Sequence, residues 1–456
     1  MRQPAPVDRP VALTVAGSDS GGGAGIQADL KTMEARGAFG TSVVTSVTAQ
    51  NTTGVESTHV LPVEEVAAQY DAVREDFDVR AVKTGMLATA PVIESVTERV
   101  AAEDVPAVVD PVMVAASGDR LLEREAESAY EDLVAEATLV TPNADEGAVL
   151  TGIEPVDAAS AREAGEAIVS MGADAALVKG GHVAADDGVV RDVLVTADGV
   201  ETFEHPRVEG AATHGSGCTL SSAIAAGLAS GEPLSDAVED ATAFMERAIR
   251  YHHDVGEGPG SVHHLAGLRE RADRQPTAEA VEAVLDAFVD ADVSALVPEV
   301  GMNVVGATPY AERVGETAAV EGRITRTMRG VQPNRGVRFG ASSHVARFLL
   351  SAREYDPDLR FAVNCRFDDD VEAALSDLDW AVAEYDRDAE PEDVKATEGS
   401  TMGWGARRAF ESVEGTPAAV IDRGEVGKEA IVKLLAPNAE TLVDRALTLD
   451  EAVGER

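Results

Sequence analysis

The chain has 456 residues, of which 45% are hydrophobic. This length is too great for one ordinary hydrophobic core, so we expect two domains. Its 81 acidic residues outnumber its 38 basic residues and give a formal net charge of −43, which argues against a nucleic-acid partner. It contains no uncharged apolar run of about 18 residues, so we expect no membrane partner either.

From residue 11 onward, short apolar runs alternate with helical segments. The alternation predicts strands in VALTVAG, TSVVTSVTAQN, RAVKTGML, PAVVDPVM, ATLVTPN and ALVKGGH, and helices in IQADLKTMEARG and VEEVAAQYDAVRED. Strands that alternate with helices form a parallel sheet covered by helices on both faces, so the predicted fold class is an α/β sandwich. Ligands bind at the carboxyl ends of such strands, and Asp110, Asn143 and Lys179 each directly follow an apolar run.

The first domain is predicted to end in a Gly/Pro- and Arg-rich passage at residues 258–276, before an amphipathic helix, TAEAVEAVLDAFVDA. The apolar runs MNVVGA, VRFGASSHVARFLL, LRFAVNCRF and PAAVIDRG follow, and they predict a second, smaller α/β domain. We place the boundary near residue 275, which gives domains of residues 1–274 and 275–456.

The acidic residues are spread over most of the predicted helices, and only six residues are lysines. Such surfaces resemble those of proteins from high-salt cytoplasm, because salt screens the repulsion between like charges. The N-terminal MRQPAPVDRP lacks the apolar stretch of a secretory signal, so we expect a cytoplasmic protein. Cys218 and Cys365 lie far apart without CxxC spacing, so neither a disulfide framework nor a zinc site is indicated, and Cys365 is expected in the core.

A glycine-rich segment, GSDSGGGAGIQADLKT at residues 17–32, joins the first predicted strand to a helix. It is not a P-loop, because no Gly-Lys-Ser/Thr follows, and not a dinucleotide site, because the next strand ends in Gln50 instead of an acidic residue. The remaining interpretation is close approach of the backbone to a small ligand, with Asp29 and Gln50 as candidate hydrogen-bonding partners.

A second glycine-containing turn, GSGC at Gly215 to Cys218, opens a run of small apolar residues with helical character. The free N–H groups of a helix start suit a phosphate, and the same positive helix end is expected to lower the pKa of the thiol and make it a proton acceptor. The alternative is a small buried cysteine beside glycines needed for packing, and this segment alone favours neither interpretation.

Seven motifs now occur in order: GSDSGGGAGIQADLKT, TAQNTTGV, VKTGML, VVDPVM, TPNADE, VKGGH and THGSGCT. Together, over about residues 10 to 270, they resemble the hydroxymethylpyrimidine/phosphomethylpyrimidine kinases of the ribokinase superfamily. The resemblance implies a ribokinase-like fold, with ATP and Mg²⁺ as cofactors.

By motif position, the resemblance also implies roles for individual residues. The backbone of Gly215, Ser216, Gly217 and Cys218 is expected to bind the transferring phosphoryl group, with the thiol of Cys218 as the base that accepts the hydroxymethyl proton. Three residues are implied as ligands of the pyrimidine: Asp29, Gln50 and Met86. Asp110 and Glu146 are implied to hold magnesium through water, with Asn143 nearby and Lys179 facing the nucleotide phosphates. Three of these have plainer alternatives, namely core packing for Met86, a turn cap for Asp110 and a helix-dipole partner for Glu146.

The second half carries the motifs GMNVVGA, VEGRITR, VRFGASSHVARFLL, RFAVNCRF, TMGWGA and IDRGEVGKEAIVKLL. Over about residues 280 to 450 these resemble the archaeal-type thiamine-phosphate synthase domain. By motif position the resemblance implies Arg323 and His344 as catalytic residues, with a surface arginine and a helix-capping histidine as the alternatives. Lys428, in a glycine-containing loop expected to open a helix, is a candidate phosphate ligand.

The two resemblances together imply a bifunctional enzyme of thiamine biosynthesis, which we expect to act on small molecules as a homodimer. One alternative makes the C-terminal domain a ligand-sensing module, although Arg323 and His344 are both present and no basic helix-turn-helix segment is found. Another alternative, a pyridoxal or sugar kinase with an unrelated appendage, is disfavoured by Gln50 and by the thiol of Cys218.

Overall fold

The computed structural model describes residues 3, 6–113, 126, 128–181, 188–208, 214–396, 400–425 and 428–455. The chain divides into two compact units, Met1–Gly267 and Leu268–Arg456. In the described residues, no helix has both the length and the apolar content needed to cross a bilayer.

The first unit is built on a nine-stranded sheet with the order β3-β2-β1-β4-β5-β6-β7-β8-β9. Its strands are β1 Val11–Asp19, β2 Phe39–Asn51, β3 Gly54–Val60, β4 Val79–Thr84, β5 Ala107–Val109, β6 Leu139–Val140, β7 Ala175–Val178, β8 Val189–Thr196 and β9 Gly199–Pro206. Six strands that are neighbours in the sheet, β2, β1, β4, β5, β6 and β7, are parallel, so their carboxyl ends meet at one edge. The antiparallel neighbours β3, β8 and β9 complete the sheet on either side.

Eight helices belong wholly to this unit as described: α1 Gly25–Ala35, α2 Val63–Asp76, α3 Ala90–Ala101, α4 Ala129–Ala135, α5 Ala144–Thr151, α6 Ala158–Ser170, α7 Ser216–Ala229 and α8 Leu234–Arg250. Side chains alternate between the two faces of the sheet, as strand geometry requires. Leu13 belongs to the hydrophobic cluster that includes Ile93 of α3, whereas Ala12 belongs to the one that includes Ala226 of α7. The predicted α/β sandwich with helices on both faces is therefore confirmed.

A long helix, α9 Ala266–Ala291, contains the point at which the chain passes from the first unit to the second. The boundary predicted near residue 275 lies inside this helix. The expectation that residues 258–276 form an irregular passage before a helix is wrong from Ala266 onward. The Arg- and Glu-rich stretch is helical, with an ion pair one turn apart between Arg274 and Glu270, and Pro276 is accommodated within the helix.

The second unit is built on a seven-stranded sheet with the order β14-β11-β10-β15-β18-β17-β16. The strands of the unit are β10 Val304–Ala307, β11 Thr317–Val320, β12 Ile324–Thr327, β13 Gly330–Pro333, β14 Val337–Phe339, β15 Phe361–Arg366, β16 Val382–Tyr385, β17 Ala419–Asp422 and β18 Ile431–Ala436. Within the larger sheet only the pair β16 and β17 is parallel, and β12 and β13 form a separate hairpin. The predicted second α/β domain is confirmed, with a sheet that is mainly antiparallel.

The helices of the second unit after α9 are α10 His344–Ala352, α11 Asp369–Asp377, α12 Glu392–Ala396, α13 Ser400–Glu411 and α14 Ala439–Gly454. Phe288 of α9 and Leu449 of α14 belong to the hydrophobic cluster on one face of the sheet, and Phe348 of α10 and Ala406 of α13 to the cluster on the other. Cys365 is fully buried in β15, as predicted.

Candidate functional site

A cavity of about 440 Å³ lies in the first unit at the carboxyl ends of the parallel strands. Asp110, Asn143 and Lys179, which follow β5, β6 and β7, all line it, as the strand-end rule predicts. The other predicted site residues that line it are Gln50, Met86, Glu146, Gly215, Ser216, Gly217 and Cys218. Asp29 is the one residue predicted in this unit that does not.

The two glycine-containing turns meet at the cavity. Gly215 caps α7 with φ +82°, a left-handed conformation that favours glycine, and a β-carbon placed there would lie 1.8 Å from the carbonyl oxygen of Gly23. The first intrahelical hydrogen bond of α7 runs from the N–H of Thr219 to Gly215, so the N–H groups of the three preceding residues are not used within the helix. The start of α7 therefore presents backbone donors to the cavity.

The thiol of Cys218 does not behave as the sequence suggested. Burial raises its pKa to about 11, although the ammonium of Lys83 opposes this shift. The expected lowering of the pKa by the helix end is wrong in this structure, because the loss of water around the thiol outweighs the favourable charges. Cys218 is a neutral thiol at pH 7.

Two carboxylates and one ammonium meet beside the start of α7. Lys179 Nζ lies 3.0 Å from Asp110 Oδ1 and 3.9 Å from Glu146 Oε2. Burial lowers the pKa of Lys179, but the two carboxylates outweigh that effect and raise it. For Glu146, burial raises the pKa to about 7, against the attraction of Lys179. When both acids are ionised, one lysine therefore does not compensate them.

Asn143 and Glu146 also cap α5. The side chain of Asn143 accepts the N–H of Glu146 at 2.9 Å, and Glu146 Oε2 accepts the N–H of Asn143 at 2.8 Å. The second oxygen of Glu146 is not part of this reciprocal cap. Capping and ligand binding are thus compatible roles for Glu146.

Asp29 lies behind the cavity, fully buried. Its carboxylate accepts hydrogen bonds from Lys83 Nζ at 2.9 and 3.0 Å, from Thr14 at 2.6 Å and from Ser222 at 2.6 Å. Lys83 is equally buried, and burial alone would lower its pKa, but the attraction of Asp29 and other nearby charges outweighs burial and raises the pKa, so the ammonium stays charged. This set places Asp29 as a support for the cavity wall and not as a group that faces a ligand.

A different aspartate reaches the cavity. Asp19 accepts the N–H groups of Gly21, Gly23 and Ala24 at 2.7 to 2.9 Å, and it lies 3.4 Å from Nε2 of His214. These partners, of which His214 contributes most, outweigh burial and lower the pKa of Asp19. Both Asp19 and His214 were present in the quoted motifs, but sequence reasoning assigned them no role.

The pyrimidine-binding candidates lie on the same side. The side-chain carbonyl of Gln50 accepts from Thr48 at 3.1 Å, and its Nε2 lies 3.5 Å from Nε2 of His214. Met86 is 8% exposed, lines the cavity, and its sulfur lies 3.8 Å from the hydroxyl of Ser46. One amide edge and one thioether therefore face the same space.

In the second unit, the two predicted catalytic residues have unusual settings. Arg323 has φ +78°, a left-handed conformation that is uncommon for a residue with a side chain, and its Nη1 donates to the carbonyl of Val300. His344 is the first residue of α10. Burial lowers the pKa of His344, and Arg347 and Arg323 add to that effect.

Lys428 differs from its prediction. The segment that follows it is the strand β18 and not a helix, because the apolar run IVKLLA is buried along its length between β15 and β17. No helix start is therefore available at Lys428, whose exposed ammonium pairs with Glu425 three residues earlier.

The second unit also contains a buried polar cluster that the sequence did not predict. Asp422 accepts hydrogen bonds from Arg387 at 2.8 and 2.7 Å, from the hydroxyl of Tyr385 at 2.6 Å and from Lys433 at 3.2 Å. Although burial opposes the shift, these donors lower the pKa of Asp422, while burial lowers the pKa of Lys433 to about 8. We call Tyr385, Arg387, Asp422 and Lys433 the Asp422 cluster.

Comparisons with known proteins follow the same division of the chain. The family model described as phosphomethylpyrimidine kinase matches residues 19–263, and the one described as thiamine-phosphate synthase ThiN matches residues 280–448. A hydroxymethylpyrimidine/phosphomethylpyrimidine kinase of Streptomyces coelicolor is 50% identical over 266 residues, which are 58% of this chain and 98% of the relative. The thiamine biosynthesis bifunctional protein ThiED of Geobacter sulfurreducens is 46% identical over 272 residues, 59% of this chain and 55% of that protein.

Solved structures also resemble part of the chain. The pyridoxal kinase of Staphylococcus aureus in complex with ADP has 31% sequence identity and a TM-score of 0.53, covering 57% of this chain and 94% of its own. An ADP complex of Bacillus subtilis pyridoxal kinase has 31% identity and a TM-score of 0.52, covering 57% and 98%.

Proposed function

Because the chain belongs to the phosphomethylpyrimidine kinase family and carries a thiamine-phosphate synthase ThiN domain, we propose that it is a bifunctional enzyme of thiamine biosynthesis. The first domain phosphorylates 4-amino-5-hydroxymethyl-2-methylpyrimidine with ATP and then phosphorylates the monophosphate to the diphosphate. The second joins that diphosphate to thiazole phosphate, giving thiamine phosphate and pyrophosphate. The observation that carries the proposal is the pair of family matches, one to each half of the chain.

In the kinase step, the substrate hydroxyl attacks the γ-phosphorus of ATP, the bond to ADP breaks, and the hydroxyl proton must leave. Cys218 at the start of α7 is the proposed acceptor of that proton, and the backbone of Gly215 to Gly217 binds the transferring phosphoryl group. Since the thiol is neutral in the free protein, its minor thiolate form acts as the base. The ADP and AMP-PCP complexes of the related pyridoxal kinases support a nucleotide in this cavity.

Pyrimidine binding is proposed for the side of the cavity formed by Gln50 and Met86. The amide of Gln50 offers both a donor and an acceptor to an aminopyrimidine edge, and Met86 packs on the ring. Asp29 acts indirectly here, because its carboxylate is used by Lys83, Thr14 and Ser222. On this side of the cavity, Asp19 is the carboxylate that lines it.

The residues present fit a magnesium ion. Asp110 and Glu146 offer hard carboxylate oxygens beside the cavity, and their charge exceeds that of Lys179, which is the setting in which Mg²⁺ binds with water and phosphate oxygens. When bound, the ion neutralises charge on the phosphates. Asp110 and Glu146 are the residues proposed to hold it, with Asn143 fixing Glu146 and with Lys179 directed at the nucleotide phosphates.

In the synthase step, the bond between the pyrimidine methylene carbon and the diphosphate oxygen breaks, and the thiazole nitrogen supplies the electron pair for the new carbon–nitrogen bond. Arg323 is proposed to bind the diphosphate and His344 to orient a substrate or move a proton. Lys428, paired with Glu425, is proposed only as a peripheral phosphate contact.

We further propose that the catalytic domains comprise residues 1–274 and 275–456. We also propose that the enzyme works as a homodimer in a salt-rich cytoplasm. The net charge of −43 supports the salt-rich setting, because screening relieves its self-repulsion.

The test is to incubate the purified full chain with the pyrimidine alcohol, ATP, Mg²⁺ and thiazole phosphate. We expect thiamine phosphate as the product. Accumulation of pyrimidine diphosphate without thiamine phosphate, together with tight binding of one finished substrate, would support a sensing role for the second domain and overturn the proposal of synthase activity.

A further inference from the structure

A row of buried polar side chains crosses the sheet of the second unit. Asn303, which directly precedes β10, contacts Asn364 of β15 through its N–H at 2.8 Å, and Asn364 is paired in register with Lys433 of β18. Lys433 then reaches Asp422 of β17 and Tyr385 of β16. Polar residues on one face of adjacent strands inside a hydrophobic core are unusual and require a reason.

The Asp422 cluster contains an excess of positive charge. Among these four residues Asp422 is the single carboxylate, whereas Arg387 and Lys433 are both cations, and burial raises the pKa of Tyr385 well above its usual value, so the phenol is neutral. Outside the cluster, the carboxylate of Glu425 also attracts Arg387, but it is paired with Lys428. The side chains of Asp422 and Lys433 are at most 1% exposed and that of Arg387 is 9% exposed. An uncompensated charge at such depth is unfavourable unless an anion joins it.

Asp422 uses only one edge of the Arg387 guanidinium. Its Nε and Nη2 both donate to Asp422, which fixes the guanidinium plane and turns the Nη1 edge away from the carboxylate. Asp422 is itself held by the N–H of Gly424 at 3.1 Å. The guanidinium is thus oriented in advance, and its Nη1 donors are not used by Asp422.

The cluster lies under the first turn of α10. Lys433 Nζ is 4.7 Å from the centroid of the Phe348 ring, and Phe348 follows His344 by one helical turn on the same face. Arg387 and Lys433 are among the cations that lower the pKa of His344, after burial, Arg347 and Arg323. Four cationic side chains therefore act on the charge of His344 in a strongly acidic protein.

We propose that the Asp422 cluster and the first turn of α10 form the binding site for the diphosphate group of the pyrimidine substrate. Arg387 contacts the diphosphate through its Nη1 edge, and Lys433 is a positioning residue that supplies the second charge from beneath. As the methylene–oxygen bond breaks, the electron pair leaves with the diphosphate, and the two cations stabilise that added charge. This inference rests on the proposed synthase function and names the residues that bind its leaving group.

Tryptophan fluorescence isolates this site in the full chain, because both tryptophans, Trp380 and Trp404, belong to the second unit. Trp404 packs edge-on against Tyr385 of the cluster, with ring centroids 6.0 Å apart. In a Trp380→Phe background, inorganic pyrophosphate titrated at constant ionic strength should produce a saturable change in Trp404 emission. Inorganic phosphate should bind at least tenfold more weakly, and equal affinity would assign the site to a monophosphate and overturn the diphosphate proposal.

Two variants test the named cations. Arg387→Met and Lys433→Met should each weaken pyrophosphate binding about ten- to hundredfold, as expected for loss of a charge-assisted contact. The matched control is Arg407→Met, an exposed arginine of α13 that pairs with Glu411, and its affinity should stay within twofold of the parent.

Thermal unfolding separates a positioning lysine from a structural one. Lys433→Met leaves Asp422 paired with Arg387, so its thermal midpoint should be unchanged or higher. A lower midpoint with normal pyrophosphate affinity would make Lys433 structural and overturn the proposal, as would the absence of a saturable signal in the parent. If Arg387→Met fails to fold, Arg387→Lys keeps the charge without the fork, and normal affinity in that variant contradicts the Nη1 contact.

The synthase assay distinguishes this inference from the proposed function. Pyrophosphate binding that depends on Lys433, in a protein that makes no thiamine phosphate, would leave the anion site standing and remove the synthase function. Normal thiamine phosphate formation by Lys433→Met and Arg387→Met would remove the inference alone.

Discussion

The two units both present ion pairs built on an aspartate and a lysine, but with opposite excess charge. In the first, Lys179 faces both Asp110 and Glu146, so acid predominates once Glu146 is ionised. In the second, Asp422 faces both Lys433 and Arg387, so base predominates. A phosphate-bearing ligand must therefore bring a cation to the first site, whereas the second already holds the opposing charge.

The largest expected difference concerns divalent metal. Removing Mg²⁺ with a chelator should lower the kinase step more than about 10³-fold and the synthase step less than tenfold, because only the first site has excess carboxylate. The measurement is the rate of each step, with ready-made pyrimidine diphosphate supplied for the second. Equal losses in both steps would break the comparison.

Next in size is the effect of the thiol. Cys218→Ala should lower kinase turnover by roughly 10²-fold with little change in ATP affinity, because it removes a proton acceptor but leaves the backbone of α7. Cys218→Asp restores an acceptor and should recover part of the rate. Supplied with both finished substrates, Cys218→Ala should make thiamine phosphate at the normal rate, and full kinase activity in this variant would reduce Cys218 to a packing residue.

The reverse pattern is expected from the second unit. Arg323→Ala and His344→Ala should lower thiamine phosphate formation about ten- to hundredfold while pyrimidine diphosphate still accumulates from ATP. Arg323→Ala should have the larger effect, since it loses a charge-assisted contact. A matching loss of the kinase step would contradict a division of labour between the halves.

The two steps should also respond oppositely to pH, by severalfold between pH 7 and 9. The kinase step should rise, because the pKa of Cys218 is about 11 and more thiolate forms as the pH increases. The synthase step should fall as the pH passes about 8, where Lys433 loses its proton. Rates measured on Cys218→Asp and on Lys433→Met provide the controls, since each should lose the corresponding dependence.

The smallest effect is a shift of a few degrees in thermal midpoint. Raising KCl from about 0.01 M to about 1 M shortens the Debye length from about 30 Å to about 3 Å and should raise the midpoint. Pyrophosphate binding at the Asp422 cluster should weaken over the same range. A midpoint that does not change with salt would remove the high-salt interpretation of the acidic composition.

Sequence reasoning succeeded where local pattern determines position. The apolar runs placed β1 and the parallel strands beside it, and the rule on strand ends brought Asp110, Asn143 and Lys179 to one cavity. The hairpin of β8 and β9 was missed because its outer strand is exposed and carries no continuous apolar run. The predicted start of helix α9 was too late in the sequence, because proline, here Pro276, ordinarily breaks a helix.

The rest depends on which surfaces pack together. The pKa of Cys218 is set by burial against neighbours distant in sequence, so the helix end alone gave the wrong direction. Lys433 interrupts the apolar run IVKLLA, and only the folded sheet places Asp422 and Arg387 beside it. Asp29 carries no local sign that Lys83 and Ser222 use its carboxylate.

The distribution of lysines offers a spectroscopic consequence. Of the six, Lys31, Lys395 and Lys428 are exposed, while Lys83, Lys179 and Lys433 pair with Asp29, Asp110 and Asp422. Ammonium protons held in such pairs exchange slowly with solvent compared with those on a free side chain. Protein labelled with ¹⁵N only at lysine side chains should therefore give three protected resonances, from Lys83 behind the kinase cavity, Lys179 within it and Lys433 in the second unit. The resonance of Lys179 then reports on the kinase step, and that of Lys433 on the synthase step.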